Sequence, residues 1–434
     1  MRLKNDAFIV LKQAIAAVQP NVLLKSILCF QNGQLSVEQQ SFTLLPNGNM
    51  YVIAVGKASA AMAQAVEGIL LEHVSGGLVV TKYGHALPLK KLQLIEAGHP
   101  IPDTNSLLAG KALLDFSKKL KENDIVLFLL SGGASALLAD TPNDLTLSAL
   151  QSTFQLLLNV GATIQEMNTI RKHLSAIKGG QLARLLMPAE IITLAISDVM
   201  GDDPSVIGSG PTVPDNSTFY NAWTIIQQYG LQHQIPLSVQ QYLQKGMVRE
   251  ILETPKKNDI CFDKTWFYLL GNNGLALQSA KKTAQALGYE THIVSQQICG
   301  EARLMGESIV AQALAYTGKK PACLLFGGET TVTIRGNGLG GRNQELVLAA
   351  ALSLPPESNL FILSVGTDGT DGPTDAAGAF TDGQQLQLAQ QLGLNVKSYL
   401  DNNDAYHFFE KVNGLIKTGP TQTNVMDIVV VLIP

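Results

Sequence analysis

"YVIAVGKASAAMAQAVEGILLEH", residues 51–73, decides how this chain must fold. An apolar run of strand length stops at Gly56–Lys57, a small-residue helical pattern follows, and "GLVVT" (77–81) returns to strand character. Strand, tight turn, helix and strand make a βαβ unit, in which the helix crosses over the sheet so that the two strands run parallel. The pattern continues through "DIVLFLL" (124–130), a helical "TLSALQSTFQLLLNV" (146–160) and "EIITLAIS" (190–197). The first half is therefore expected to be a doubly wound, Rossmann-like α/β domain with a parallel sheet.

Residues 231–264 lose the strand signal, gain Lys, Gln and Pro, and read as a helical connector ending in a polar loop. A domain boundary is placed there, giving an N-terminal domain over 1–245 and a C-terminal one over 246–434. In the second half "WFYLLG" (266–271), "THIVS" (291–295), "CLLFGGE" (323–329), "TVTIRG" (331–336), "LFILSVG" (360–366) and "DIVVVLIP" (427–434) read as strands between helices over 276–288, 301–316 and from Arg342. No crossover fits between "CLLFGGE" and "TVTIRG", so these two are expected to pair antiparallel in a mixed sheet. The fold class is α/β: two three-layer α/β/α domains, the first parallel and the second mixed.

At 434 residues with 46% hydrophobic content, the chain can bury two cores. Its longest apolar runs, Ile125–Leu130 and Ile428–Pro434, fall far short of the roughly 18 residues of a membrane span. The N-terminal segment reads as an amphipathic helix carrying Phe8, Leu11, Ile15 and Val18, with Asp6 as its cap, rather than as a signal peptide. Four scattered cysteines, Cys29, Cys261, Cys299 and Cys323, suggest reduced core thiols and neither a disulfide framework nor a zinc site. A formal charge of −4 without a basic run argues against a nucleic-acid partner. A soluble, cytoplasmic protein acting on small molecules is expected.

Glycine and polar residues concentrate just after the strands, where open α/β sheets bind ligands. Lys57 follows the first strand near a helix start, a place that favours an anion. It is no Walker A lysine, because Tyr51 and Ala58 occupy the positions of the first Gly and the Ser/Thr. Ser131, Gly132, Gly133 and Ser135 open the next helix and could cradle a phosphate; a plain small-residue packing turn is the alternative, and neither serine fits G-x-S-x-G. Asp198 ends a strand and suits a general base or a magnesium ligand, whereas Asp203 reads as solvated surface. Gly208 and Gly210 form a further glycine turn, and Glu329, Arg342, Asp368, Asp371 and Asp375 cluster after the later strands. His99 lies in a proline-rich turn and reads as structural, and the charges of Arg171, Lys172 and Lys178 around His173 read as a solvated helix face. Gly336, Gly338 and Gly341 match G-x-G-x-x-G, but late in the chain and with the next strand-ending acid, Asp368, 27–32 residues on. An anion loop around Arg342 fits better than a nicotinamide fingerprint.

Seven stretches in order carry a family resemblance: "VGKAS" (55–59), "GHPIPD" (98–103), "LLSGGASALL" (129–138), "NTIRKHLSAIKGG" (168–180), "SDVMGDDPSVIGSGPTVPD" (197–215), "GGETTVTIRGNGLGGRNQE" (327–345) and "GTDGTDGPTDAAGA" (366–379). The chain resembles the type-2 glycerate kinases, MOFRL-domain proteins of which some have been named hydroxypyruvate reductases. The resemblance implies an ATP- and Mg2+-dependent enzyme that phosphorylates the 2-hydroxyl of D-glycerate, with its site in an interdomain cleft and Lys57 and Arg342 as the key cations. Asp198 is the candidate base, Asp198 and Asp368 the candidate metal ligands, and Ser131, Gly132, Gly133, Ser135, Gly208, Gly210 and Glu329 the candidate nucleotide contacts. A homo-oligomer is compatible with this reading and the sequence does not require one. The alternatives are an NAD(P)H-dependent hydroxypyruvate reductase and a sensor that binds the same ligands without turnover.

Overall fold

A computed structural model describes residues 2–142, 145–355 and 357–434. The chain forms two compact units, Leu24–Leu270 and the first 23 residues together with Gly271–Pro434. The partition differs at both ends from a cut after residue 245. "WFYLLG" lies in the strand Thr265–Gly271, which is the edge of the first sheet instead of the start of the second. The N-terminal helix Arg2–Ala17 belongs to the later unit, where Tyr289 donates to Asp6 Oδ2 at 2.7 Å and Ser279 to the Gln13 carbonyl at 3.0 Å. Asp6 is thus a buried acceptor within the helix and no cap.

In the Leu24–Leu270 unit the six-stranded sheet runs in the order Gln93–Ala97, Val74–Lys82, Met50–Val55, Ile125–Leu130, Glu190–Ile196, Thr265–Gly271. The first five pair parallel. Every side chain of Ile125–Leu130 is buried, as expected of a central parallel strand covered on both faces. Ile53, Val55, Phe128 and Leu130 pack there with Leu113, Leu182 and Ile191. A second apolar cluster joins the helices Leu147–Asn159, Ile164–His173, Phe219–Gln228 and Leu237–Met247 through Leu157, Ile170, Ile226 and Leu243. Their starts are set by sequence: Thr163 with Glu166 and Thr218 with Asn221 close capping boxes that satisfy otherwise unpaired N–H groups.

The other unit carries a mixed sheet in the order Glu290–Ile298, Ala322–Gly328, Asp427–Ile433, Phe361–Gly366, Gly378–Thr381, Leu415–Ile416. The first pair is parallel and the rest antiparallel. The mixed sheet was legible, its antiparallel partner was not: Ala322–Gly328 pairs with the C-terminal strand, and "TVTIRG" makes only an isolated bridge from Thr331 to Glu301. The amides of Arg335 to Leu339 go to Asn402, Asn403 and Asp404 instead of a ladder. All four cysteines are free, but Cys29 and Cys299 are exposed, so only Cys261 and Cys323 are core thiols. Among the described residues no single helix is long and apolar enough to cross a membrane.

Candidate active site

Strand register builds the first cluster. Val55 pairs with both Val80 and Leu130, Leu130 with Ala195, and Lys82 with Ala97, so the C-terminal ends of the parallel strands finish side by side. Lys57, His99, Gly132 and Asp198 each lie two residues beyond the last residue of their strand and are brought together at that edge.

Two consecutive glycines allow the convergence. A β-carbon on Gly132 would stand 1.7 Å from Asp198 Oδ2, and one on Gly133 would meet His99 Nε2 at 3.0 Å and Lys57 Cγ at 3.3 Å. Gly133 also has φ +84°, a left-handed conformation that suits glycine. The Lys57 amide donates to the Gly132 carbonyl at 2.8 Å, which ties the two turns together. His99, read from sequence as structural, is therefore part of this cluster, and its bond to Pro100 is cis.

The proposed phosphate contacts differ in what they offer. Ser131 is fully buried and its Oγ accepts the Ala58 amide at 3.1 Å, so it serves the turn before the helix Ser59–Leu70. Ser135 Oγ lies 2.8 Å from Ser209 Oγ, which donates to Asn168 Oδ1. Around Gly208 and Gly210, the Ser209 and Gly210 amides are donated within their own loop. The helix after Gly133 spans only Ala134–Leu137. One turn carries little macrodipole, so an anion here relies on side-chain cations more than the sequence suggested.

Of the charges expected on a solvated helix face, Lys172 and Lys178 are buried and Arg171 is half-buried. Lys172 pairs with Asp215 at 3.2 Å, His173 Nε2 with Glu253 at 2.9 Å, and Lys178 Nζ donates to the Leu138 carbonyl at 2.9 Å. Lys178 and Arg171 line a cavity of about 920 Å3 that reaches His99, Gly133 and Ser135.

The second cluster, in the mixed-sheet unit, centres on Arg342 at the start of the helix Arg342–Ser353. Asp427, which sequence reasoning passed over, accepts from its Nε at 2.6 Å and from its Nη2 at 2.9 Å, and Glu329 meets Nη1 at 2.8 Å. Register explains the meeting: Asp427 pairs with Gly328 on one side and Gly366 on the other, so Glu329 and Asp368 leave their strands beside it. The available signal was a lone acid opening the all-apolar strand "DIVVVLI". Burial alone would weaken the Arg342 charge, but Asp427, Glu329 and Asp371 outweigh it and lock the guanidinium charged. Asp371 is buried and accepts the amides of Asn343 and Gln344, capping that helix; burial pushes its carboxyl up to about 6 despite those bonds. Asp368 Oδ1 accepts the amide and hydroxyl of Thr370. Asp375 faces solvent with Lys417 and Tyr406.

The G-x-G-x-x-G glycines pack on the protein itself. β-Carbons at Gly336, Gly338 and Gly341 would lie 2.4 Å from Asn402 Oδ1, 2.4 Å from Asp404 Cβ and 2.3 Å from Asp371 Cγ. Their loop is separated from the preceding strand, which ends at Gly328, and its amides are taken by Asn402–Asp404. A dinucleotide turn is not formed, and the amides of 335–339 serve the protein itself, so the stretch contributes chiefly the Arg342 side chain. Among the described residues no group of three or more His, Cys, Asp or Glu side chains is arranged to hold a metal.

A parallel α/β unit with cationic and acidic side chains gathered beyond its strand ends, followed by a mixed-sheet unit, has the architecture of α/β proteins that bind ligands at that edge. Residues 6–244 match a domain of unknown function (DUF4147) and residues 322–427 the MOFRL family. A glycerate 2-kinase of Pyrococcus horikoshii is 40% identical over 427 residues, covering 97% of this chain and 95% of that protein. The crystal structure of a glycerate kinase from Thermotoga maritima superposes with a TM-score of 0.86 at 39% identity, covering all of both chains. An Agrobacterium vitis protein provisionally named a hydroxypyruvate reductase is 41% identical, covering 89% of this chain and 88% of its own. The chain belongs to the glycerate 2-kinase family.

Proposed function

We propose that this enzyme transfers the γ-phosphoryl group of ATP to the 2-hydroxyl of D-glycerate, giving 2-phosphoglycerate and ADP. The observation that carries the reading is the packing of Asp198, Lys57 and His99 against Gly132–Gly133. Phosphoryl transfer needs positioning and charge compensation more than covalent help from the protein. A lysine beside the strand-end turn compensates the transferring group, and a carboxylate within the same cluster accepts the proton of the attacking hydroxyl or holds a metal.

Magnesium usually reaches such sites on the nucleotide and needs only one or two protein carboxylates. Asp198 fits that requirement in the strand-end cluster, and Asp368 is the candidate in the other. Bound there, the ion would neutralise phosphate charge. Arg342 offers a fork suited to a carboxylate or phosphate. Its Nε and Nη2 are held by buried Asp427, while Glu329, 44% exposed, is the partner that a substrate anion displaces.

The reductase reading loses its main support because the three glycines contact Asn402, Asp404 and Asp371. Incubation of the purified protein with D-glycerate, ATP and magnesium, followed by phosphorus NMR, tests the proposal beside an NADH and NADPH oxidation assay with hydroxypyruvate. Formation of 2-phosphoglycerate without nicotinamide oxidation is expected; the opposite pattern would establish the reductase, and silence in both the sensor.

A further inference from the structure

The cavity of about 920 Å3 in the Leu24–Leu270 unit holds two cations with little to do within the protein. Among the described residues Arg171 makes no hydrogen bond or ion pair; its guanidinium lies over the Phe154 ring at 5.3 Å from the centroid. Lys178 is 7% exposed, and its one described hydrogen bond, to the Leu138 carbonyl, leaves two ammonium donors. Asp140 also lines the cavity, but its two oxygens are taken by the Ser175 hydroxyl and the Ala176 amide. Burial and the charge of Arg171 hold the Lys178 ammonium below its ordinary range, against the opposing pull of Asp140. An anion placed between the two cations relieves both.

Much of the remaining wall is apolar, with Leu150 and Leu174 buried and Ile101 and Leu158 exposed, and Gln151, Gln155 and Gln234 add amide groups among them. Glycerate is too small to fill a cavity of this size. A planar base on an apolar wall and a phosphate chain on paired cations suit both regions, and the volume lies in the range of drug-sized ligand pockets. Gly133, the residue on which Lys57 and His99 pack, lines the cavity together with His99, so phosphates held there lie beside the proposed transfer site.

We infer that this cavity is the nucleotide site, with Arg171 and Lys178 contacting the phosphates and the Ile101–Leu150–Leu158 wall receiving the base. The inference rests on the kinase reading for the identity of the nucleotide, but its test does not require turnover. ADP and adenosine binding to the full chain would be measured by calorimetry for wild type, Arg171→Ala and Ile101→Asp. Among the described residues the Arg171 side chain has no hydrogen bond or ion pair to lose, only its contact over Phe154, and Ile101 is exposed, so both variants should keep the wild-type circular dichroism spectrum. Arg171→Ala should weaken ADP at least tenfold while leaving adenosine binding and the KM for glycerate unchanged; Ile101→Asp should weaken both ADP and adenosine. Unchanged ADP binding in both variants, or a rise confined to the KM for glycerate, would overturn the assignment. If wild type makes 2-phosphoglycerate and the variants bind ADP normally, the cavity assignment alone falls. If wild type makes no product yet ADP binding drops in both variants, the kinase reading falls and the nucleotide cavity stands.

Discussion

Asp198 lies so close to the Cα of Gly132 that a β-carbon there would stand 1.7 Å from Oδ2 and 2.6 Å from Oδ1. The glycine thus sets the position of the carboxylate, and the effect of a methyl group can be foreseen. What it strikes is the far end of a side chain, not backbone, so Gly132→Ala should turn Asp198 aside and spare the fold. Turnover should fall at least about 100-fold, roughly 2.7 kcal/mol of transition-state stabilisation. Asp198→Asn keeps the packing and should lose activity to a similar degree. Steady-state kinetics with thermal unfolding check both, and a Gly132→Ala enzyme within threefold of wild type would remove Asp198 from the mechanism.

Arg342 needs a different substitution from Lys57. Asp427 is 3% exposed and takes two hydrogen bonds from Arg342, so Arg342→Ala strands a buried carboxylate and should destabilise the protein by about 3–5 kcal/mol. Its kinetics would mix unfolding with chemistry. Arg342→Lys keeps the charge but cannot reproduce the fork. It should remain folded and lose at least about tenfold in kcat/KM, whereas Lys57→Ala should lose turnover with little change in melting temperature. Equal activity of Arg342→Lys and wild type would assign the arginine a purely structural role.

The alternation of "YVIAV", "GLVVT", "DIVLFLL" and "EIITLAIS" with helical patterns made the parallel sheet readable, and strand-end glycines pointed to Lys57, Gly132 and Asp198. Long-range pairing was not readable. "TVTIRG" has strand propensity, yet its Thr331 and Thr333 amides go to Gly300 and Glu301, and its Arg335 and Gly336 amides to Asn403, more than 60 residues away. Helical spacing around His173 could not show that Lys172 and Lys178 are buried against Asp215 and the Leu138 carbonyl. Nor could it show that Asp427 stands between Gly328 and Gly366, because that follows from the sheet order alone.

Acid should loosen the buried charge cluster around His173. Burial would raise the Glu253 carboxyl, but the hydrogen bond and charge of His173, with the Phe219 and Thr254 amides, outweigh it and hold the group at about 2. Asp215 is shifted the same way, with Lys172 and His173 overcoming its burial. A depressed carboxyl contributes stability above its unfolded value, 4.5 for Glu253, and loses it as pH falls towards 2. Because Glu253 is 36% exposed, solvent screening leaves on the order of 1–2 kcal/mol. Glu253→Gln should lower stability by that amount at pH 7 and show a flatter decline between pH 4.5 and 2. Parallel acid profiles for the two proteins would show that Glu253 carries none of it.

Two helical glycines should respond to alanine with opposite signs. Gly68, in Ser59–Leu70, has nothing within 4 Å of an added β-carbon, so Gly68→Ala gains helix propensity unopposed and should stabilise by about 0.5–1 kcal/mol. Gly306 lies in Ala302–Leu314 where that helix packs on Arg342–Ser353, and its β-carbon would meet the Leu346 carbonyl at 2.3 Å and the Ala350 amide at 3.0 Å. Backbone cannot swing aside as a carboxylate can. Overpacking of about 1–3 kcal/mol therefore exceeds the propensity gain, and Gly306→Ala should be destabilising. The helix that would be pushed also begins with Arg342, so the variant should lose activity as well as stability. Urea unfolding and turnover measured on the same samples check both signs, and a Gly306→Ala enzyme more stable than wild type would mean that the two helices separate without resistance.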